Sequence, residues 1–379
     1  MFLSFILFAL FAQNLPGMPP VIDPKNVYSE TTAGKLSPAT AGALNRVYVP
    51  NVKSGDVYVI DPATFKVVDH YVIGGNPQHV IPSWDLKTLW VAGSAERKLS
   101  GILTPIDPKT GKAGTTIKVP DAYNLYFTPD GKSAIVVAEA LKQLEFRDPQ
   151  TMKMQYTIST SQCAGVNHAD FSIDGNFVYF TCEFSGGGLI KIDLTQRKIV
   201  ASLKLENEGR GAQKAAVHNM PQDIRISPDG KTLFVADMQA DGVFVIDAQA
   251  FKQIGFIPTG RGAHGLYPSR DGKKLYITNR GTHMGDIKAH GPGSVSVLDF
   301  ATKKIEKTWE IPGGGSPDMG NVSADGKMLW LSGRFDKVVY ALDTTTGAIK
   351  TIPVGTEPHG LTIWPQPGRY SLGHTGVMR

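Results

Sequence analysis

The chain has 379 residues with 39 Lys+Arg against 34 Asp+Glu, a formal charge of +5. That modest balance, without a Lys/Arg cluster or interleaved aromatic and basic residues, argues against nucleic acid as a partner. Length alone would allow two domains, but a repeat that runs almost to the last residue argues for one, and 41 Gly with 25 Pro fit many tight turns.

The first element is the apolar run FLSFILFALFA at residues 2–12. It is too short to span a bilayer comfortably and is followed by Gln, Asn, Pro and Gly, which reads as a signal peptide over 1–12 cleaved near Ala12. Its n-region lacks the usual positive charge. The expectation is a periplasmic or secreted protein with no membrane span after signal removal. Residues 13–44, rich in Pro, Thr, Ala and Ser, read as a flexible lead-in.

From residue 45 to 379 the chain is built on two alternating phrases. The first is a turn followed by an alternating apolar strand: SWDLKTLWV (83–91), TPDGKSAIVV (128–137), SIDGNFVYF (172–180), SPDGKTLFV (227–235), SRDGKKLYI (269–277) and SADGKMLWL (323–331). Their aspartates are spaced by 45, 44, 55, 42 and 54 residues. A period in the forties with only strands in it means a propeller or an array. The second phrase is an apolar strand ending in an aspartate and a turn, at Asp61, Asp107, Asp148, Asp193, Asp247, Asp299 and Asp343.

Seven outer phrases stand against six inner ones, and the ends supply the difference. PHGLTIWPQPG (358–368) reads as an innermost strand without its DG turn, while the body opens on RVYVPN (46–51), a second strand. The expected fold is therefore all-β: a seven-bladed β-propeller of four-stranded blades, the last closed by N- and C-terminal strands. Such closure removes exposed sheet edges, and the expected particle is a monomer.

These units resemble the YVTN or YncE-type repeats of bacterial seven-bladed propellers. The superfamily also holds the haem d1 domains of nitrite reductases and the lactonase-type propellers. The resemblance covers nearly all of residues 46–365 and implies the fold; it does not imply one function, because the scaffold hosts binding proteins, lyases, lactonases and redox domains.

Register places the site. In a propeller each inner strand starts beside the central axis on one face, and counting back from each turn aspartate reaches Gln78-His79, Tyr123-Asn124, Asn167-His168, Gln222-Asp223, His264-Gly265, Asp318-Met319 and His359-Gly360. Four of the nine histidines, His79, His168, His264 and His359, thus occupy one equivalent position. Imidazole is the commonest ligand of transition metals, and carboxylates complete or orient such sites. The expectation is one axial copper, iron or zinc ion held by these four, with Asn124, Asp223 and Asp318 behind them; a non-covalent tetrapyrrole is the alternative cofactor. Polar residues lining a wet channel could equally bridge waters.

The same face receives the ends of the second strands, with Glu139, Glu183, Asp237, Arg280 and Arg334, and two insertions carrying His218, His283 and His290. Acids and arginines beside a metal suit a polar or anionic small molecule, though a solvated rim of ion pairs is the plainer reading. Cys163 and Cys182 also lie on this face. In an exported chain they favour a disulfide bracing the loop next to His168, with a thiolate ligand as the alternative. No CxxCH, GxSxG, HExxH or P-loop motif occurs. Two function classes remain open: a metal-dependent oxidoreductase or hydrolase/lyase, and a non-catalytic periplasmic carrier of a metal, tetrapyrrole or small organic ligand.

Overall fold

Each Ser/Thr-x-Asp-Gly phrase folds as its residues dictate. In the fourth copy Ser227 Oγ donates to Asp229 Oδ1 at 2.6 Å, the same carboxylate accepts the Lys231 amide at 3.1 Å, and Gly230 takes φ 72°. A positive φ is inexpensive only for glycine. The first copy, SWDL, puts Leu86 in that place at φ 65° and anchors it by burying its side chain. The aspartates of the second phrase cap the other turn: Asp247 Oδ1 accepts the amides of Gln249 and Ala250 at 2.9 and 2.8 Å.

A computed structural model describes residues 23, 25–94, 99–184, 186–206, 218–284 and 291–379. Within them lie seven four-stranded sheets, the seven-bladed propeller expected. Blade one holds β4–β7 (77–119), blade two β8–β11 (124–159), blade three β12–β15 (166–204), blade four β16–β19 (221–258), blade five β20–β23 (263–310) and blade six β24–β27 (317–353). Blade seven has the order β28-β1-β2-β3: β28 (Thr362–Trp364) lies innermost and pairs antiparallel with β1 (Arg46–Asn51), followed by β2 (Asp56–Asp61) and β3 (Lys66–Val72). The ends therefore close one blade together.

Burial falls from axis to rim, and residue choice follows it. Inner strands such as Val166–Phe171 are buried at every position, whereas the outermost strand of the same blade, Lys198–Lys204, alternates exposed and half-buried residues. Between blades the apolar faces meet, as where Phe234 and Phe244 of blade four join a cluster with Leu266 and Ile277 of blade five. Among the described residues no helix is long and apolar enough to cross a membrane.

The segments flanking the repeats make contacts with the ring. The signal region, 1–12, lies outside the described residues. Of the lead-in read as flexible, residues 25–44 are packed on the face opposite the inner-strand starts: the Val27 amide donates to Pro228 O at 2.8 Å, Tyr28 Oη to Ile226 O at 2.7 Å, and Leu36 bridges to Pro367 and Gly368. Two apolar residues, Val27 and Tyr28, suffice to anchor a segment whose average composition is that of a linker. At the other end, residues 369–379 enter the central channel. Leu372, Val377 and Met378 are buried there, and Arg379 Nη2 pairs with the buried Asp170 at 2.5 Å.

Cys163 and Cys182 form a disulfide between segments 19 residues apart. A loop of that length restricts the unfolded chain by about 3 kcal/mol. Non-reducing alkylation is expected to leave both sulfurs unlabelled in protein made in an oxidising compartment, and Cys182→Ser to lower the melting temperature; two labelled thiols in such protein would dismiss the bond.

Candidate metal centre on the propeller axis

The inner strands do not run straight past the axis. In β12 the pairing with its neighbour breaks between Val166 and Ala169, in β16 between Pro221 and Ile224, in β20 between Ala263 and Leu266, in β24 between Pro317 and Gly320, and in β4 between Pro77 and His79. Bulges re-aim side chains and are common beside functional sites. Here the extra residues include His168, Asp223, His264 and Asp318, so one recurrent irregularity turns four blades' side chains to the axis.

His79, His168 and a third histidine, His374, form the tightest group. One ring nitrogen from each lies within 4.8 Å of the others, and all three residues are fully buried. The ring centroids are 5.5 Å apart for His79 and His168, 5.0 Å for His79 and His374, and 4.6 Å for His168 and His374. Tyr123 meets His79 edge-on at 5.5 Å and His168 at 6.0 Å. His374 comes from the channel-filling segment, in the run Gly373-His374-Thr375-Gly376, at φ 53° with its amide bonded to Leu125 O at 2.9 Å. Sequence reasoning passed over it because it lies beyond the last repeat, where no register applies; the available signal was a histidine between glycines after the closing strand. Gly360 makes room for His79, since a Cβ there would stand 1.9 Å from the ring Nδ1.

His264 and His359 belong to a second layer, organised by Asp318. His359 Nδ1 is 2.7 Å from Asp318 Oδ2, while Arg280 donates to Asp318 Oδ1 at 2.5 Å and to His264 Nε2 at 2.6 Å. His264 Nδ1 lies 3.1 Å from Asp318 Oδ1 but lacks the alignment of a hydrogen bond and is left without a partner. The layers touch, with the His79 and His359 rings 4.8 Å apart. Their partners thus separate the four inner histidines: His264 and His359 turn to Asp318, with rings 6.3 Å apart, while His79 and His168 close on His374.

Burial sets the charge states. It is the largest influence on all five imidazoles and lowers the proton affinity of each; His359 falls to about 4, with Arg334 adding to the effect. Neutral imidazole is the form that binds metals. Burial would push the Asp318 carboxyl upward, but Arg280, His264 and His359 together outweigh it and hold it well below the carboxylate range.

Of the other residues expected to support the site, Asn124 does so. Its Nδ2 is 2.8 Å from His374 Nδ1 and 3.3 Å from His168 Nδ1. Asp223 instead serves the lower channel, accepting from Arg225 and from the amides of Ile224 and Leu266. Asp237 holds a turn through the amides of Met220, Gln239 and Ala240. At the rim Glu183 accepts from Asn167 and Gln222 at 2.9 and 3.1 Å, and burial with Glu183 nearby pushes the Glu139 carboxyl up to about 8. His283 is buried and 2.6 Å from Asp241, His218 is exposed, and His290 lies outside the described residues. Cys163 and Cys182 are joined to each other and leave no thiolate for a metal.

The profile of the YncE-like beta-propeller family matches residues 9–367. The chain belongs to this family. It is 25% identical over 302 residues to the uncharacterized protein YncE of Salmonella typhi, covering 74% of this chain and 75% of that one. Antigen Lp49 of Leptospira interrogans is 26% identical over 171 residues, covering 38% and 34%. Among solved structures, hydrazine synthase of Kuenenia stuttgartiensis superimposes with a TM-score of 0.60 at 18% identity, covering 93% of this chain and 100% of that one. A putative 6-phosphogluconolactonase of Bacteroides uniformis gives 0.65 at 16%, covering 84% and 98%. At such identities the superpositions show the shared propeller fold, and family membership leaves the chemistry to the site.

Proposed function

We propose that the protein is an exported metalloprotein in which His79, His168 and His374 hold one copper, iron or zinc ion on the propeller axis. The observation that carries this reading is a set of buried imidazole nitrogens with no hydrogen-bond partner: His79 Nδ1 and Nε2, His168 Nε2 and His374 Nε2. Leaving a buried polar atom unpaired costs about 1–3 kcal/mol, and a metal would relieve several of these costs at once. A tetrahedral centre with bonds near 2.0–2.1 Å needs its donors about 3.4 Å apart, so nitrogens that now lie within 4.8 Å of one another have to close by up to about 1.4 Å.

Asn124 is the residue that prepares them. Its Oδ1 accepts the Leu125 amide at 2.8 Å, which fixes the amide so that Nδ2 donates to both Nδ1 atoms; His168 and His374 then carry their protons on Nε2, and ligation through Nε2 releases those protons as the ion binds. Asp318 and Arg280 fix the layer above through His264 and His359. The Cys163–Cys182 bond supports an oxidising compartment, in keeping with export.

Enclosure ranks the chemistry. The three imidazoles are fully buried, which favours a metal that is kept, as in a carrier, or one that exchanges electrons, as in an oxidoreductase, over a hydrolase or lyase needing an open coordination position. The chamber at the funnel mouth, about 330 Å³, lies near the lower end of the roughly 300–1,000 Å³ range of ligand pockets and favours an ion over a tetrapyrrole.

Elemental analysis of protein purified without chelators, with an absorption spectrum, tests this reading. One metal per chain is expected, without a Soret band, and held to a pH below the ordinary imidazole range because burial disfavours the competing protons. Protein that stays metal-free after exposure to copper, iron and zinc would remove the reading, and a Soret band would replace the ion with a tetrapyrrole.

A further inference from the structure

Above the histidine layers the chamber is walled by Met220, Met238 and Phe335 on its apolar side and by Arg280 and Arg334 on its charged side. Neither guanidinium is fully used. Arg334 Nη1 is buried and has no partner, and its Nη2 reaches Glu357 Oε2 only at 3.6 Å. Arg280 spends Nε and Nη2 on Asp318 and His264, but its Nη1 has the Met238 thioether at 3.6 Å as its partner, and a thioether is a weak acceptor. Two guanidinium edges with donors to spare therefore line one cavity.

We propose that this chamber binds a small organic monocarboxylate, its carboxylate between Arg280 and Arg334 and its apolar body against Met220, Met238 and Phe335. Arginine forks match a carboxylate in shape and charge. Lys53, Glu183 and Glu357 line the same cavity, so charge alone does not choose among anions; the Met220, Met238 and Phe335 wall does, since it takes up an apolar tail that phosphate lacks. The size agrees: about 330 Å³ accommodates a small organic acid and is at the low end for ligand pockets, below what a tetrapyrrole macrocycle needs. This inference names the ligand class of a chamber joined to the proposed metal centre only through the Arg280–Asp318–His264 contacts, and it stands on the arginines and not on a bound ion.

Titration calorimetry with butyrate, its neutral isostere butyramide and inorganic phosphate tests it, on wild-type and Arg334→Gln protein, each as purified and after metal stripping with EDTA. Melting curves without ligand confirm that the variant is folded. Butyrate is expected to bind wild type equally with and without metal, and about tenfold or more weakly to Arg334→Gln, the size of one lost charge-assisted hydrogen bond. Butyramide and phosphate are expected to bind far more weakly than butyrate. Equal binding of butyramide, preference for phosphate, an unchanged Arg334→Gln affinity, or no butyrate binding at millimolar concentration would each overturn the proposal. Butyrate binding confined to metal-loaded protein would also overturn it, since the ion rather than the arginines would then be the receptor. Absence of metal with butyrate binding intact would count against the metal centre alone.

Discussion

His374→Ala protein is expected to lose its metal while keeping its fold. Removing one of three ligands costs at least the roughly hundredfold in affinity that even outer-sphere changes can reach, so stoichiometric metal in wild type should fall to background after dialysis. The blades keep their cores, because His374 reaches the axis on a segment held by its neighbours: Leu372, Val377 and Met378 remain buried and Arg379 still pairs with Asp170. His168→Ala is expected to behave alike. His264→Ala, which removes a ring bonded to Arg280 and not one of the close trio, should lower affinity less. Metal content measured by elemental analysis, beside circular dichroism, decides the matter. Full metal retention in His374→Ala would show that the trio is not the ligand set, and equal losses in His374→Ala and His264→Ala would restore a centre shared by both layers.

Deleting residues 358–379 is expected to unfold the whole protein. The deletion takes away β28, exposes the edge of β1, and removes Leu361, Ile363, Trp364, Leu372, Val377 and Met378 from the interior. At about 1.5–3 kcal/mol per large buried apolar side chain, the loss is on the order of 10 kcal/mol, comparable to the entire stability of a typical domain. It also leaves Asp170 buried without Arg379, and breaking a buried pair by removing one partner costs about 3–5 kcal/mol. Deleting only 369–379 keeps the ring closed, because β28 still pairs with β1. That shorter deletion still removes Leu372, Val377 and Met378 and leaves Asp170 without Arg379, so it should lower the melting temperature steeply, with the closed ring keeping a cooperative transition and the metal gone. A 358–379 deletion that melts like the full chain would show that the seventh blade closes without its inner strand.

What the sequence determined by itself is whatever repeats. The Ser/Thr-x-Asp-Gly turns and the aspartate-capped outer turns are local: each is made by residues within a few positions of one another, so Asp229 with Ser227 and Gly230 needs nothing from the rest of the chain. Seven outer copies of such local rules, with one inner strand missing at the start and supplied at the end, set both the blade count and the closure by Thr362–Trp364. Register then brought His79, His168, His264 and His359 to the axis, because equivalent positions in a ring are neighbours whatever their separation in sequence. The tertiary structure decided what register is silent on. Residues 25–44 and 369–379 carry no repeat, and only the packed molecule shows Tyr28 under blade four and His374 inside the channel. The same holds for the direction of a ring. Backbone position could not show that the His359 ring faces Asp318, or that Asn124 sits between His168 and His374, because those choices are made by bulges, buried charges and a segment arriving from the opposite face, all of which act across chain separations that no local pattern records.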